Sequence, residues 1–329
     1  MQNKISALCF ILAIFTSVKG QQDPQFSMYM FNRQIINPAF VGLEGWTNLT
    51  SAVRTQWVGI EGAPKTITAS INSPVEILHG AIGAVLYNDR IGQFNTNVLK
   101  ANYAYRIDLG EPDNQHSLQI GIGLGLLNKN IDFKFRTVFN NSWSDGSEDP
   151  LLTTLQGNGS GTLFDLGAGL YYQFKRNKGY IGIGSEHLTE PSLKSLGDGL
   201  NAKIPRHYNL LAGYRINLNA LNMTMVPSIM LKNAGPQTQL DINLNLVFDP
   251  IVLGVSYRIG DALIGLMGLQ ATDNLFVAYS YDYTLSKLGP YTSGSHELVI
   301  TYLIPTKVKF RPPDWGVRHN PTIRIPTDK

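Results

Sequence analysis

The sequence predicts an all-β protein, a transmembrane antiparallel β-barrel of about 14 strands of the outer-membrane type. Segments of about ten residues alternate apolar and polar from Thr47 to Ile304, an export signal precedes them, and the connections between them alternate short and long. Leu240, Ile242, Leu244, Leu246 and Phe248 alternate with Asp241, Asn243, Asn245 and Val247, so that one face of the strand suits lipid and the other water. A strand that enters hydrocarbon must have its backbone groups paired on both sides, which only a closed barrel achieves.

The chain opens on Lys4 and the apolar run Ile5 to Phe15, the length of a signal-peptide core rather than of a membrane helix. Val18 and Gly20 are placed for cleavage before Gln21, so residues 1–20 form the expected signal. Cys9, the single cysteine, lies inside that signal and leaves the mature chain without disulfides. Its stability must then come from packing and barrel closure.

Composition agrees with strands rather than helices as the membrane element. A hydrophobic content of 43% and a mean hydropathy of -0.06 are too polar for a helical membrane protein, and no later stretch approaches ~18 consecutive apolar residues. With 16% charged residues, 32 Gly and 15 Tyr, the chain suits barrel walls with interfacial aromatic girdles. The formal charge of +3 includes Lys4 and Lys19, which leaves 25 basic against 24 acidic residues, or +1, after cleavage. Residues 305–329 carry six basic against two acidic residues and five prolines, so they form a basic tail and not a strand. That tail is either solvated or a docking segment for an acidic periplasmic partner.

In chain order the expected strands centre on Thr47 to Trp57, Thr66 to Asn72, Gly80 to Tyr87, Asn97 to Arg106, Ser117 to Leu126, Leu163 to Gln173 and Tyr180 to Glu186. The second half continues with Tyr208 to Ile216, Met223 to Leu231, Gln239 to Phe248, Ile251 to Arg258, Leu263 to Ala271, Leu275 to Tyr283 and His296 to Ile304. Ile131 to Phe139 could extend a strand or form one in a loop. An even count places both barrel ends of the chain on one side. If the first strand runs outward, the short connections 175–178, 217–221, 249–250 and 272–273 face the periplasm and the long ones, 128–162 and 187–205, face outside. Pro227 removes a ladder donor and predicts a bulge or a shifted boundary.

Arg54, Lys100, Arg106, Asp165, Arg215, Asp241, Arg258, Asp282 and Glu297 are expected to face the lumen, where opposite charges pair or line an aqueous path. Motifs for chemistry are poor: there is no G-x-S-x-G, no H-E-x-x-H, no G-x-x-x-x-G-K, and no His or Cys cluster at metal-ligand spacing. His296 and Glu297 are adjacent and so point to opposite faces. Asp145, Glu148 and Asp149 read as a solvated acidic loop before a calcium site, and Gly157 to Gly161 as a loop tip. No catalytic residue, cofactor, metal or nucleic-acid partner is expected.

Between the signal and the first strand, residues 21–46 are a periplasmic or plug segment rich in aromatics and Met. Such side chains require a covering surface. The candidate partner-binding residues are Asp23, Pro24, Gln25, Phe26, Tyr29, Met30, Phe31, Asn32, Asn37 and Pro38, and the alternative is that they pack inside the barrel.

The run Asp23-Pro24-Gln25-Phe26-Ser27-x-Tyr29-Met30-Phe31-Asn32, then Ile36-Asn37-Pro38-Ala39 with Gly42, and Ser295-His296-Glu297 before the last strand resemble the PorP/SprF family of outer-membrane proteins. The family belongs to the type IX secretion system of Bacteroidetes. Val41 stands where Ala is often found. The resemblance implies a non-enzymatic accessory of protein export, embedded in outer-membrane lipid. Its implied partners are periplasmic secretion-ring components and secreted client proteins with a C-terminal sorting domain, including gliding adhesins. A general solute channel and a purely structural barrel in a surface complex are the other readings of the sequence.

Overall fold

A computed structural model describes residues 23–109, 116–132, 137–139, 142–144, 158–174, 178–192 and 203–306. The expected signal, the acidic loop at Asp145, Glu148 and Asp149, and nearly all of the basic tail lie outside the described residues.

The first strands are β1 (Thr47–Thr55), β2 (Lys65–Val75), β3 (Gly80–Ile91), β4 (Phe94–Leu109) and β5 (His116–Asp132). They are followed by β6 (Thr137–Phe139), β7 (Ser142–Ser144), β8 (Asn158–Phe174), β9 (Gly179–Glu186), β10 (His207–Tyr214) and β11 (Ile216–Leu218). The remainder are β12 (Met223–Ala234), β13 (Gln237–Phe248), β14 (Ile251–Arg258), β15 (Ala262–Gln270), β16 (Leu275–Thr284) and β17 (Ser295–Ile304). β6 and β7 pair only with each other among the described residues. The others form one antiparallel sheet in chain order, closed where β17 pairs with β1. Since β10 and β11 are two pieces of one strand beside β12, the barrel has 14 strands.

Closure follows from the alternation. In β13, Asp241, Asn243 and Asn245 are buried on the lumen side while Ile242 and Phe248 are exposed on the outer wall. The same phase exposes Ile67, Leu86, Ile122, Ile183 and Met267, the surface that hydrocarbon covers. Exposed tyrosines cap this band. Tyr105, Tyr172 and Tyr302 lie near the end with short turns, and Tyr208, Tyr257, Tyr281 and Tyr283 near the end with long loops, where amphipathic rings suit the headgroup layer.

Two expectations change in the structure. Pro227 causes no bulge: β12 pairs with β13 in unbroken register, Pro227 opposite Leu244. On its other side the ladder stops at Gly213–Ser228 and resumes at Ile216–Met225 in the same register. The missing N–H thus costs a local gap opposite Tyr214 and Arg215, and the Arg215 amide instead donates to the Lys178 carbonyl at 2.7 Å. Second, β5 and β8 are longer than the membrane needs, at 17 residues each, and pair from Ser117–Gln173 up to Asp132–Asn158. Asn128 and Thr162, expected as the bounds of a loop, are therefore ladder partners, and Gly159 to Gly161 are strand and not loop tip.

Candidate functional site

Residues 23–46 run inside the barrel, and the order of their contacts gives the direction. Asp23 meets His187 and His207, at the loop-end limits of β9 and β10. Gly42 donates to Asn72 near the turn end of β2, and Gly45 accepts from Thr306 beyond the turn end of β17. The segment therefore descends from the loop end to the turn end before β1 climbs back. Both ends of the barrel proper lie at the turn end, but the start of the lumenal segment lies at the other.

Near the loop end the wall presents buried charge. Arg54 Nη2 is 2.7 Å from Asp282 Oδ2, and Arg54 Nη1 is 3.0 Å from Glu297 Oε2. Arg258 bonds Asp241 Oδ2 through Nε and Asp282 Oδ2 through Nη1, both at 3.2 Å. Two cations thus face three carboxylates, all within the wall. Ser27 completes the cluster: its Oγ donates to Asp282 at 2.6 Å and accepts from Arg54 at 3.0 Å and Arg258 at 3.1 Å. Its backbone N–H and that of Met28 donate to Glu297 at 2.7 and 3.1 Å, giving the extra carboxylate the partners that burial requires. Lys100 forms a separate buried pair with Glu186. Asp165 is also buried and inward, as expected, and Arg106 is half-buried and pairs with Asp108 at 2.7 Å.

Above this cluster the Asp23 carboxylate lies 3.0 Å from His187 Nε2 and 2.8 Å from His207 Nδ1. Asp165 Oδ2 lies 2.9 Å from His187 Nδ1, on the far side of the ring. Burial opposes ionisation of Asp23, but the two imidazoles outweigh it and hold the carboxyl well below the usual range. Burial likewise opposes the His187 cation, and Asp23 and Asp165 overcome it, pushing His187 up to about 10.

Farther down, contacts become apolar. Phe26, Met28, Tyr29, Met30 and Phe31 are buried, with Phe31 packed on Phe276 at 5.0 Å between ring centroids. Tyr29 accepts a hydrogen bond from Asn243, Asn32 accepts from Ser70 at 3.1 Å, and Gln25 bonds Gln239 and Gln56. Asn37 caps the short 3-10 turn Pro38–Phe40 by accepting from the Ala39 N–H at 2.8 Å, with Pro38 at a position that needs no amide donor. This turn lies on a wall of glycines. A Cβ on Gly121 would fall 2.2 Å from the Ala39 nitrogen, and one on Gly169, its ladder partner, 1.9 Å from Asn37 Oδ1. Phe40 then packs against Tyr171 with ring centroids 4.8 Å apart and planes tilted by 56°.

All ten residues singled out from the sequence lie along this segment: Asp23, Pro24 and Gln25 are half-buried, and Phe26, Tyr29, Met30, Phe31, Asn32, Asn37 and Pro38 are buried against the lumen wall. The arrangement is that of a plug. Ser27, and the pair His187 and His207, carry polar anchoring that the sequence reading did not select. Ser27 sat within the quoted motif, whereas the two histidines are 20 positions apart with no spacing rule to join them.

The family described as type IX secretion system membrane protein PorP/SprF matches residues 18–302. No curated protein matches the chain in sequence. Among solved structures, the Acinetobacter baumannii outer membrane protein Omp33 is 12% identical over 80% of this chain and all of its own, with a TM-score of 0.42. The P. putida toluene transporter TodX is 11% identical over 84% of this chain and 94% of its own, with a TM-score of 0.46. With the family match spanning the lumenal motif and all but the final residues of the barrel, the chain belongs to the PorP/SprF family of type IX secretion system membrane proteins.

Proposed function

We propose that this barrel is a non-enzymatic outer-membrane component that supports export or surface anchoring of client proteins bearing a C-terminal sorting domain, gliding adhesins among them. The observation that carries this over a solute channel is the lumen itself. It is occupied by the chain's own segment, with Phe26, Met28, Tyr29, Phe31 and Phe40 in one core with wall residues such as Tyr171, Leu211 and Phe276. A passive pore has no use for such a filling. By the rule that long loops face outward, the loop end serves the client, and the turn end, with the chain beyond Thr306, faces periplasmic secretion-ring components. The lumenal motif acts by fixing the wall that these two ends share.

The experiment is complementation of a deletion strain with the intact chain or with Phe26, Tyr29 and Phe31 all changed to Ala. Each truncation removes about 3–5 kcal/mol of packing. The intact chain restores client display and is silent in single-channel recordings, while the triple variant inserts into the outer membrane but displays no client. Normal client display in the deletion strain refutes the secretion role, and steady conductance by the intact barrel favours the channel.

A further inference from the structure

We propose that Asp23, His187 and His207 form a binding site for a divalent transition ion of the zinc type, which fastens the start of the lumenal plug to the barrel wall. Their candidate ligand atoms lie within 4.8 Å of one another, with the closest pairs at 2.8 and 3.0 Å. A tetrahedral ion with bonds of about 2.0–2.1 Å separates its ligands by roughly 3.3 Å, so small side-chain rotations seat it. Two imidazoles and one carboxylate suit zinc and its neighbours and not calcium or magnesium, which take oxygen.

Three further features fit the assignment. Asp165 lies 2.9 Å from His187 Nδ1, the ring nitrogen that does not meet Asp23, where a carboxylate stands behind a metal-bound histidine. The charge also balances: Asp23 and Asp165 bring two negative charges to two histidines that are almost wholly buried, while Lys100 is paired with Glu186. One divalent ion, taking the place of the proton that His187 otherwise carries, cancels them. Finally, His187 holds φ at 58°, a left-handed conformation uncommon for a side-chain-bearing residue, fixed by the Glu190 amide on its carbonyl at 2.9 Å. Asp23 retains about a quarter of its side-chain exposure, which leaves a route for the ion and room for a water as fourth ligand.

The test uses the full mature chain without added affinity histidines, refolded in detergent, stripped with chelator and titrated with Zn²⁺ or Co²⁺. The folded barrel is expected to retain one equivalent of Zn²⁺ through desalting and to give the intense visible absorption of tetrahedral Co²⁺. His207→Gln should abolish both. Asp165→Asn keeps all three ligands and should weaken Zn²⁺ binding about 10–100-fold, which keeps the test decisive if His207→Gln does not fold. A folded wild-type barrel that retains no Zn²⁺, or an Asp165→Asn barrel that binds as tightly as wild type, overturns the proposal.

Discussion

Within the lumenal segment, residues 23–28 meet the barrel through ionised groups, whereas residues 36–43 meet it through bare backbone and aromatic rings. Ser27 docks among Arg54, Arg258, Asp282 and Glu297, where loss of a wall ion removes a counter-charge from a buried site. Ala39 docks on Gly121 and Asn37 on Gly169, where any added carbon collides. One half is thus specified by charge and the other by volume. The two fail differently: a charge site is sensitive to removal, a close-packed site to addition.

The most damaging way to test the charged half is Arg54→Ala, which leaves Glu297 buried without a cation and Asp282 with Arg258 alone. It should cost about 3–5 kcal/mol in urea unfolding of the detergent-refolded barrel. A loss of less than a third of that would show that the wall charges do not depend on one another. Ser27→Ala, which removes the shared hydroxyl but leaves the wall ions paired, should cost about 1.5–3 kcal/mol.

For the close-packed half, Gly121→Val should cost about 1–3 kcal/mol and raise conductance as residues 37–40 are pushed from the wall. Gly265→Val, at an outward position with open space around it, is the control and should stay within about 0.5 kcal/mol. Equal effects at both glycines would remove the steric half of the contrast. Asn37→Ala deletes the cap on Pro38–Phe40 and should cost about 1 kcal/mol.

The last test moves no stability at all and fixes which half faces the cell exterior. A cysteine at Glu61, exposed in a loop-end connection, should react with an impermeant thiol reagent on intact cells, and one at Asn219, in a turn-end connection, should not. The reverse pattern would place the charged half toward the periplasm.

Most of the wall was legible because its period is local. Alternation alone locates 14 strands, and the β14 limits Ile251 and Arg258 coincide with the expected ones. The inward charges were legible for the same reason, since phase decides face. What alternation does not carry is where pairing stops. Asn128, Lys129 and Asn130 are polar on both faces and read as loop, yet they continue the β5–β8 ladder because two strands can support each other beyond the lipid. Pro227 was misread for a related reason: a missing donor implied a bulge or a shifted boundary, whereas the barrel tolerates an unpaired step between β10 and β11. The polar anchors of the plug were hidden by distance along the chain, with 164 residues between Asp23 and His187 and 270 between Ser27 and Glu297. Aromatic content showed that residues 23–40 needed cover, but not that the cover was the barrel's own interior.

The 270-residue separation between Ser27 and Glu297 also constrains how the chain comes together. Glu297 sits on the last strand, directly across the closing seam from Arg54, so the charges that receive Ser27 converge only when the first and last strands meet. A nascent barrel truncated before β16 lacks both Asp282 and Glu297, which accept from the serine's hydroxyl and amide. Residues 27 and 28 thereby report on the arrival of the last ten residues of the wall, and stable seating of the lumenal segment becomes a chemical record that the barrel has closed.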